Sequence, residues 1–299
     1  MMRPGFAMFI AVLSVSAAAV IIVSCSAPAL LISLYRMIFT TLLILPFIIV
    51  KGCYRKELLG LSRRSLIFLV LIGFILAVHF TLWITSLKLT SVASSVILVT
   101  AHPIFVGPLS YVLFKEHLSK INVLGILISF TGVIVLVVGN YGISQFSLNS
   151  LEGNILAFLG GIAAGLYILG GRYFRRQLSV ISYALVVYAV ATFFLLLFCI
   201  VGNVSLTAID SHDLGLIFIM AVISGIFGHT VYNWSLAHIR ASLASVALLG
   251  EPIGSSFFAY IIPWINQIPS HFTLIGGSII LTGIYLTARR SEKKEPIIL

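Results

Sequence analysis

The sequence predicts an all-α integral membrane protein of ten transmembrane helices, arranged as two inverted five-helix repeats. Three observations predict it. Hydrophobic residues make up 60% of the 299 and charged residues only 9%, a balance that soluble domains of this length do not carry. Ten apolar runs are each long enough to cross a hydrocarbon layer about 30 Å thick at ~1.5 Å rise per residue. The two halves of the chain also match each other in the order and placement of their unusual residues.

The runs lie at about 5–24, 29–50, 66–87, 91–114, 121–139, 151–171, 180–201, 214–236, 241–262 and 271–288. The first follows Arg3. Its alternative reading, a signal peptide ending at the lipoprotein-like box Ile22-Val23-Ser24-Cys25, requires a shorter apolar run and would leave the first repeat one helix short. The second carries Arg36, whose guanidinium cannot be neutralised by deprotonation. Arg36 either snorkels to the outer headgroups, lines a cavity or braces the repeats against carbonyls. The third holds His79 and Trp83 on one helix face, and the eighth repeats that spacing with His229 and Asn233. The fourth contains Pro103 and Pro108, the fifth Gly125 and Gly132. In the sixth, Gly161 and Gly165 form a small-xxx-small face, expected to pack within the chain. The seventh is an uninterrupted apolar run. Asp210 to Asp213 and Ser147 to Glu152 read as caps at the starts of the eighth and sixth. The ninth carries Glu251-Pro252, with Trp264 near its outer end as an interface anchor, and the tenth Gly276 and Gly283.

A net charge of +10 could suggest nucleic acid, but the basic residues sit in short gaps between apolar runs, where they set topology. With the N-terminus inside, all 18 Lys and Arg except Lys88 and Arg36 fall on the cytoplasmic side. Both termini are therefore expected in the cytoplasm, with the charged tail at 291–299 on the anionic inner leaflet. Cys25, Cys53 and Cys199 are too scattered for a disulfide framework or a metal site and read as free thiols.

The repeat places Ser91 through Pro103 over Arg240 through Pro252, Gly125 and Gly132 over Gly276 and Gly283, and His79 over His229. This divides the chain into a first repeat at 1–140, a second at 141–290 and the tail. Five helices is an odd number, so the second copy enters the membrane from the opposite face. Inverted repeats of this kind mark alternating-access carriers, with the site near the midplane between the halves.

Glu251 is the first functional suspect. A carboxylate near the middle of a span costs on the order of 3 kcal/mol unless it is paired, protonated or exposed to a water-filled path. His102 stands at the equivalent position of the first repeat, each residue one before a proline. Pro103 and Pro252 each free a carbonyl one turn back, which makes the carbonyls near Val99 and Leu248 candidates to line a pathway; the alternative is a bend for packing alone. His79 and His229 are either hydrogen-bonded core groups or, falling in the outer and inner halves, serve the two alternating mouths. Trp83, Trp234, Tyr232 and Phe105 could form an aromatic wall for a flat or cationic substrate.

These residues carry a resemblance. The segment Pro28 to Arg36, the run ending His102-Pro103-Ile104-Phe105 with Glu116 beyond it, the Gly125 to Gly132 helix, and the runs Gly228 to Trp234 and Ala247 to Pro252 resemble the EamA family of the drug/metabolite transporter superfamily, over nearly the whole chain. The resemblance implies a ten-helix inner-membrane carrier of small organic solutes, often an exporter of metabolites, amino acids or toxic compounds. The second half departs from the pattern, with Trp264-Ile265-Asn266-Gln267 where an acidic residue corresponding to Glu116 would stand. Glu116 is therefore expected only to tie down one cytoplasmic corner.

The function expected is a secondary carrier of a small-molecule substrate, exporting it with protons as the coupling ion, with no cofactor, no resident metal and no nucleic-acid partner, as a monomer or homodimer among membrane lipids. Glu251 is the expected proton-binding group. The alternative is an intramembrane metal-binding or hydrolytic enzyme. Against it, the sequence has no HExxH, GxSxG or Walker motif, and no helix carries a ligand pair at the usual spacing.

Overall fold

The computed structural model describes residues 3–90, 92–141, 151–262 and 268–289. The helices are α1 (Pro4–Ser24), α2 (Ala29–Val50), α3 (Gly52–Leu59), α4 (Arg63–Leu89), α5 (Val92–Val99), α6 (Pro103–Phe114), α7 (Lys120–Tyr141), α8 (Leu151–Phe174), α9 (Val180–Val201), α10 (Ser211–Met220), α11 (Val231–Leu236), α12 (Ala241–Ala247), α13 (Glu251–Ile261) and α14 (His271–Ala288). A π-helical stretch at Ala221–Thr230 joins α10 to α11, and a 3-10 turn at Leu248–Gly250 joins α12 to α13. No strand occurs among the described residues. Among the described residues, ten stretches are long and apolar enough to cross a membrane, as expected. Helix is the form that lets a chain this apolar satisfy its own backbone away from water.

The spans begin where short polar side chains stand in for the missing turn. Ser62, Ser179, Asp210 and Ser270 each accept a hydrogen bond from the backbone N–H three residues on. Asp210 thus caps α10 as predicted, whereas most of the segment expected to cap α8, Trp264 and the tail at 291–299 lie outside the described residues.

The pairing of helices is reciprocal between the halves. Span 3 (α4) packs on span 6 (α8), and span 8 packs on span 1 (α1). Span 3 also packs on span 7 (α9), and span 8 on span 2 (α2). The equivalent spans 2 and 7 face each other, as do 5 (α7) and 10 (α14). This is the pattern expected of two inverted copies about a two-fold axis. At the α7–α14 crossing it reaches single residues: Gly125 lies against Gly283, and Gly132 against Gly276. A methyl group on Gly132 would sit 2.7 Å from the Ile280 nitrogen and 2.8 Å from the Gly276 oxygen, so the missing side chains set the distance of approach. The glycines that mark the repeat are those through which its copies touch.

Spans 4 and 9 are both broken. In span 4 the helix stops at Val99 and restarts at Pro103; in span 9 it tightens over Leu248–Gly250 and restarts at Glu251. The cause is the same, a proline that cannot donate to the carbonyl four residues back. Pro108 lies within α6. The main core draws mostly on spans 1, 2, 3, 6, 7 and 8, with Val99 and Val106 of span 4 and Ala241, Ala244 and Ala247 of span 9, and a second, smaller core fills the space among spans 4, 5, 9 and 10.

Candidate functional site

Arg36 does not snorkel. It is 1% exposed, on the face of α2 turned into the bundle. Its Nη2 donates to Ser224 Oγ at 3.0 Å, its guanidinium carbon lies 4.6 Å from the Phe80 ring centroid, and its Nη1 has no hydrogen-bond partner. Two features of span 8 make this possible. The wider π-helical stretch holds Ser224, and Gly225 lets its backbone approach α2, where a side chain would fall 2.3 Å from Thr40 Oγ1. Arg36, Phe80, Tyr188 and His229 line a cavity of about 10 Å³, enough for one water.

Glu251 is half-buried at the first turn of α13, and its carboxylate makes no hydrogen bond or ion pair among the described residues. The positive end of α13 favours its negative charge. Arg36 is the opposite charge whose field reaches it, without direct contact.

The histidines of the two halves converge on one ring. His79 and His229 flank the same Phe80 ring, at 5.2 and 5.4 Å between centroids. His79 Nδ1 bonds the Gly160 carbonyl at 2.9 Å, and its ring stacks on Trp83 at 5.9 Å and 7°. His102 is 4% exposed at the restart of span 4, within electrostatic range of His79, with its Nδ1 unpartnered. Asn233 donates to the hydroxyls of Tyr167 at 2.6 Å and Tyr188 at 3.2 Å, and Tyr188 meets Thr230 at 3.3 Å. Trp83 Nε1, the Tyr232 hydroxyl and Asn233 Oδ1 are buried without partners. Orphaned polar atoms are rare in protein interiors, so each of these calls for an unseen partner such as water or a ligand. Trp234 stands apart, packed at 4.2 Å on the exposed His238, and Phe105 fills the gap left by Gly165.

The two freed carbonyls each meet a local neighbour. The Val99 oxygen packs on α8 where Gly161 lacks a side chain, and the Leu248 oxygen accepts the Glu251 N–H in the 3-10 turn. The break is absorbed by packing on one side and by local tightening on the other. Gly161 and Gly165 thus pack within the chain, as expected.

Sequence reasoning passed over Phe80, Ser224, Tyr167 and Tyr188, which hold the predicted groups in place. The signal for the last three was weak but present, single hydroxyls inside apolar runs. Phe80 gave none.

Polar ties close the bundle at both ends. At the end of the chain termini, buried Glu116 accepts from Arg172 Nε at 2.7 Å and from the Ala241 N–H at 2.9 Å, while Arg172 Nη1 reaches the Leu236 carbonyl at 2.7 Å. Arg240 bonds the His117 carbonyl. Glu116 thus pins a corner between the halves. The second tie at this end is Glu57, on which Ser179 and Ser182 converge. At the opposite end Asp213 Oδ2 accepts from Ser26 N–H, Ser26 Oγ and Ala27 N–H, at 2.9, 3.0 and 2.7 Å.

Ten spans in reciprocal halves, with a buried arginine, a half-buried glutamate and orphaned polar groups inside the bundle, define a multi-pass membrane protein of transporter type. The chain belongs to the EamA-like transporter family, whose model matches residues 3–138 and again 151–289. An uncharacterized transporter of Archaeoglobus fulgidus is 24% identical over 70% of this chain and 71% of its own. The uncharacterized transporter YyaM of Bacillus subtilis is 25% identical over 81% of this chain and 77% of its own. A crystal structure at 19% identity covers 95% of this chain and 96% of that one, with a TM-score of 0.78, which establishes the fold. Family and relatives together point to a transporter of small molecules rather than an enzyme.

Proposed function

We propose that the protein is a secondary carrier that moves a small organic solute, a metabolite, amino acid or drug-like compound, across the inner membrane by alternating access, exporting it in exchange for protons. Both termini lie in the cytoplasm. The observation that carries the reading is the placement of Arg36 and Glu251, opposite charges from the two halves that feel each other's field without contact. A proton on Glu251 removes one of the two charges, and with it the attraction across the bundle. Substrate is held among His79, Trp83, His102, His229, Tyr232 and Asn233, of which Trp83, His102, Tyr232 and Asn233 have unpartnered atoms to offer it hydrogen bonds. Trp234 belongs at the margin of this site, and Pro103, Pro108 and Pro252 shape it through the broken spans.

Glu251→Gln keeps size and hydrogen-bonding capacity but cannot cycle a proton. In reconstituted vesicles the variant should bind substrate yet lose accumulation driven by a pH gradient. Uphill transport at the wild-type rate with an unchanged pH profile would sink the coupling role.

A further inference from the structure

We infer that the end of the bundle opposite the chain termini carries a binding site for a divalent transition-metal ion, of the Zn²⁺ class, built from Asp210, His212 and Asp213. One ligand atom from each of the three lies within 4.8 Å of the others. Bonds of about 2.0–2.2 Å to a single ion need only a small inward shift of such a group.

The independent observation is Asp213. Its side chain is 2% exposed, and its two oxygens are treated differently. Oδ2 takes all three bonds from Ser26 and Ala27; Oδ1 is buried with no hydrogen bond, and His212 Nδ1 stands 3.6 Å away, beyond hydrogen-bond reach. A buried carboxylate oxygen without a donor calls for an explanation. A cation supplies it. The three donors on Oδ2 do for Asp213 what outer-shell hydrogen bonds do for metal ligands, fixing which way the free oxygen points.

The other two ligands are free to follow. The His212 side chain is 73% exposed, so its ring can swing to admit an ion beside Oδ1. Asp210 uses Oδ1 to cap the Asp213 N–H at 2.7 Å and keeps Oδ2. Two carboxylates outweigh the half charge at the start of α10. Lys88, exposed at the same end, is the nearby charge they must also outweigh. Two oxygens and a nitrogen are too few for Ca²⁺, which takes six to eight oxygens, and suit Zn²⁺ with water in the open position. Because Asp213 also clamps Ser26 and Ala27 at the head of α2, a bound ion holds this end of spans 2 and 8 together.

The test uses untagged full-length protein in detergent, stripped with chelator and titrated calorimetrically with Zn²⁺. One ion per chain should bind. Asp210→Ser keeps an N-cap and removes a carboxylate. It and His212→Ala should each weaken binding at least about tenfold while leaving thermal stability without metal unchanged. Asp213→Asn is unsuitable alone, since it also disturbs the Ser26 clamp. Absence of Zn²⁺ binding to the wild type, or binding that both variants retain in full (an adventitious ion only), would overturn the site.

Discussion

Arg172 Nε meets Glu116 Oε1 at 2.7 Å, with both side chains buried, joining the end of span 6 to the loop after span 4. Lys115, at φ 56° just before it, turns the chain so that Glu116 points inward. Breaking one partner of a buried pair leaves a bare charge and costs about 3–5 kcal/mol, whereas replacing both with apolar groups costs far less. Glu116→Gln should therefore lower the thermal midpoint of the purified protein sharply, and Arg172→Met combined with Glu116→Leu should restore most of it. Equal stability of all three proteins would show that the pair does not hold this corner.

At its glycines the α7–α14 crossing leaves no room for a side chain. Gly125→Ala would place a methyl 2.5 Å from Thr287 Oγ1 and 2.6 Å from the Gly283 oxygen, so it and Gly132→Ala should each destabilise by about 1–3 kcal/mol. Gly215→Ala, with nothing within 4 Å, should be neutral or gain about 0.5–1 kcal/mol of helix stability. Thermal or denaturant melts in detergent separate the two outcomes.

Native cysteines report topology. Cys53 is exposed on α3 and, with the termini cytoplasmic, should react with an impermeant maleimide in broken cells but not in intact ones. Cys25 should stay unlabelled in both. It is buried, and that burial, with the nearby Asp213 charge next in effect, pushes its thiol up to about 11, leaving little thiolate at neutral pH. Labelling of Cys53 in intact cells would invert the orientation.

Glu57 gives the protein an acid-sensitive joint. Burial alone would raise its carboxyl, but hydrogen bonds from Ser179 and Ser182, aided by Arg175, outweigh it and hold the group below the usual range. A group lowered in the folded state lends stability above its unfolded value, about 4.3, and loses it as pH falls through the folded one. Wild-type protein should thus lose stability below about pH 4.3, and Glu57→Gln should be weaker at pH 7 but show less of that acid dependence. Parallel acid profiles for the two would remove Glu57 from the account.

The sequence by itself determined the number of spans, the repeat and the places where helices break, because apolar length, glycine spacing and proline chemistry act locally along the chain. Glu251 and Arg36 were conspicuous for the same reason, as charges inside runs that carry almost none. Their relationship was not legible. Only the tertiary structure brought α2 against the π-helical stretch of span 8, so that Arg36 found Ser224 and Phe80 instead of the headgroups, and only it gathered His79 and His229 around one ring. The freed carbonyls of Val99 and Leu248 show the limit most clearly. Proline dictates that each loses its helical donor, but whether such a group meets a path, a glycine or a tightened turn depends on which helix packs beside it, and that is set by contacts far away in sequence.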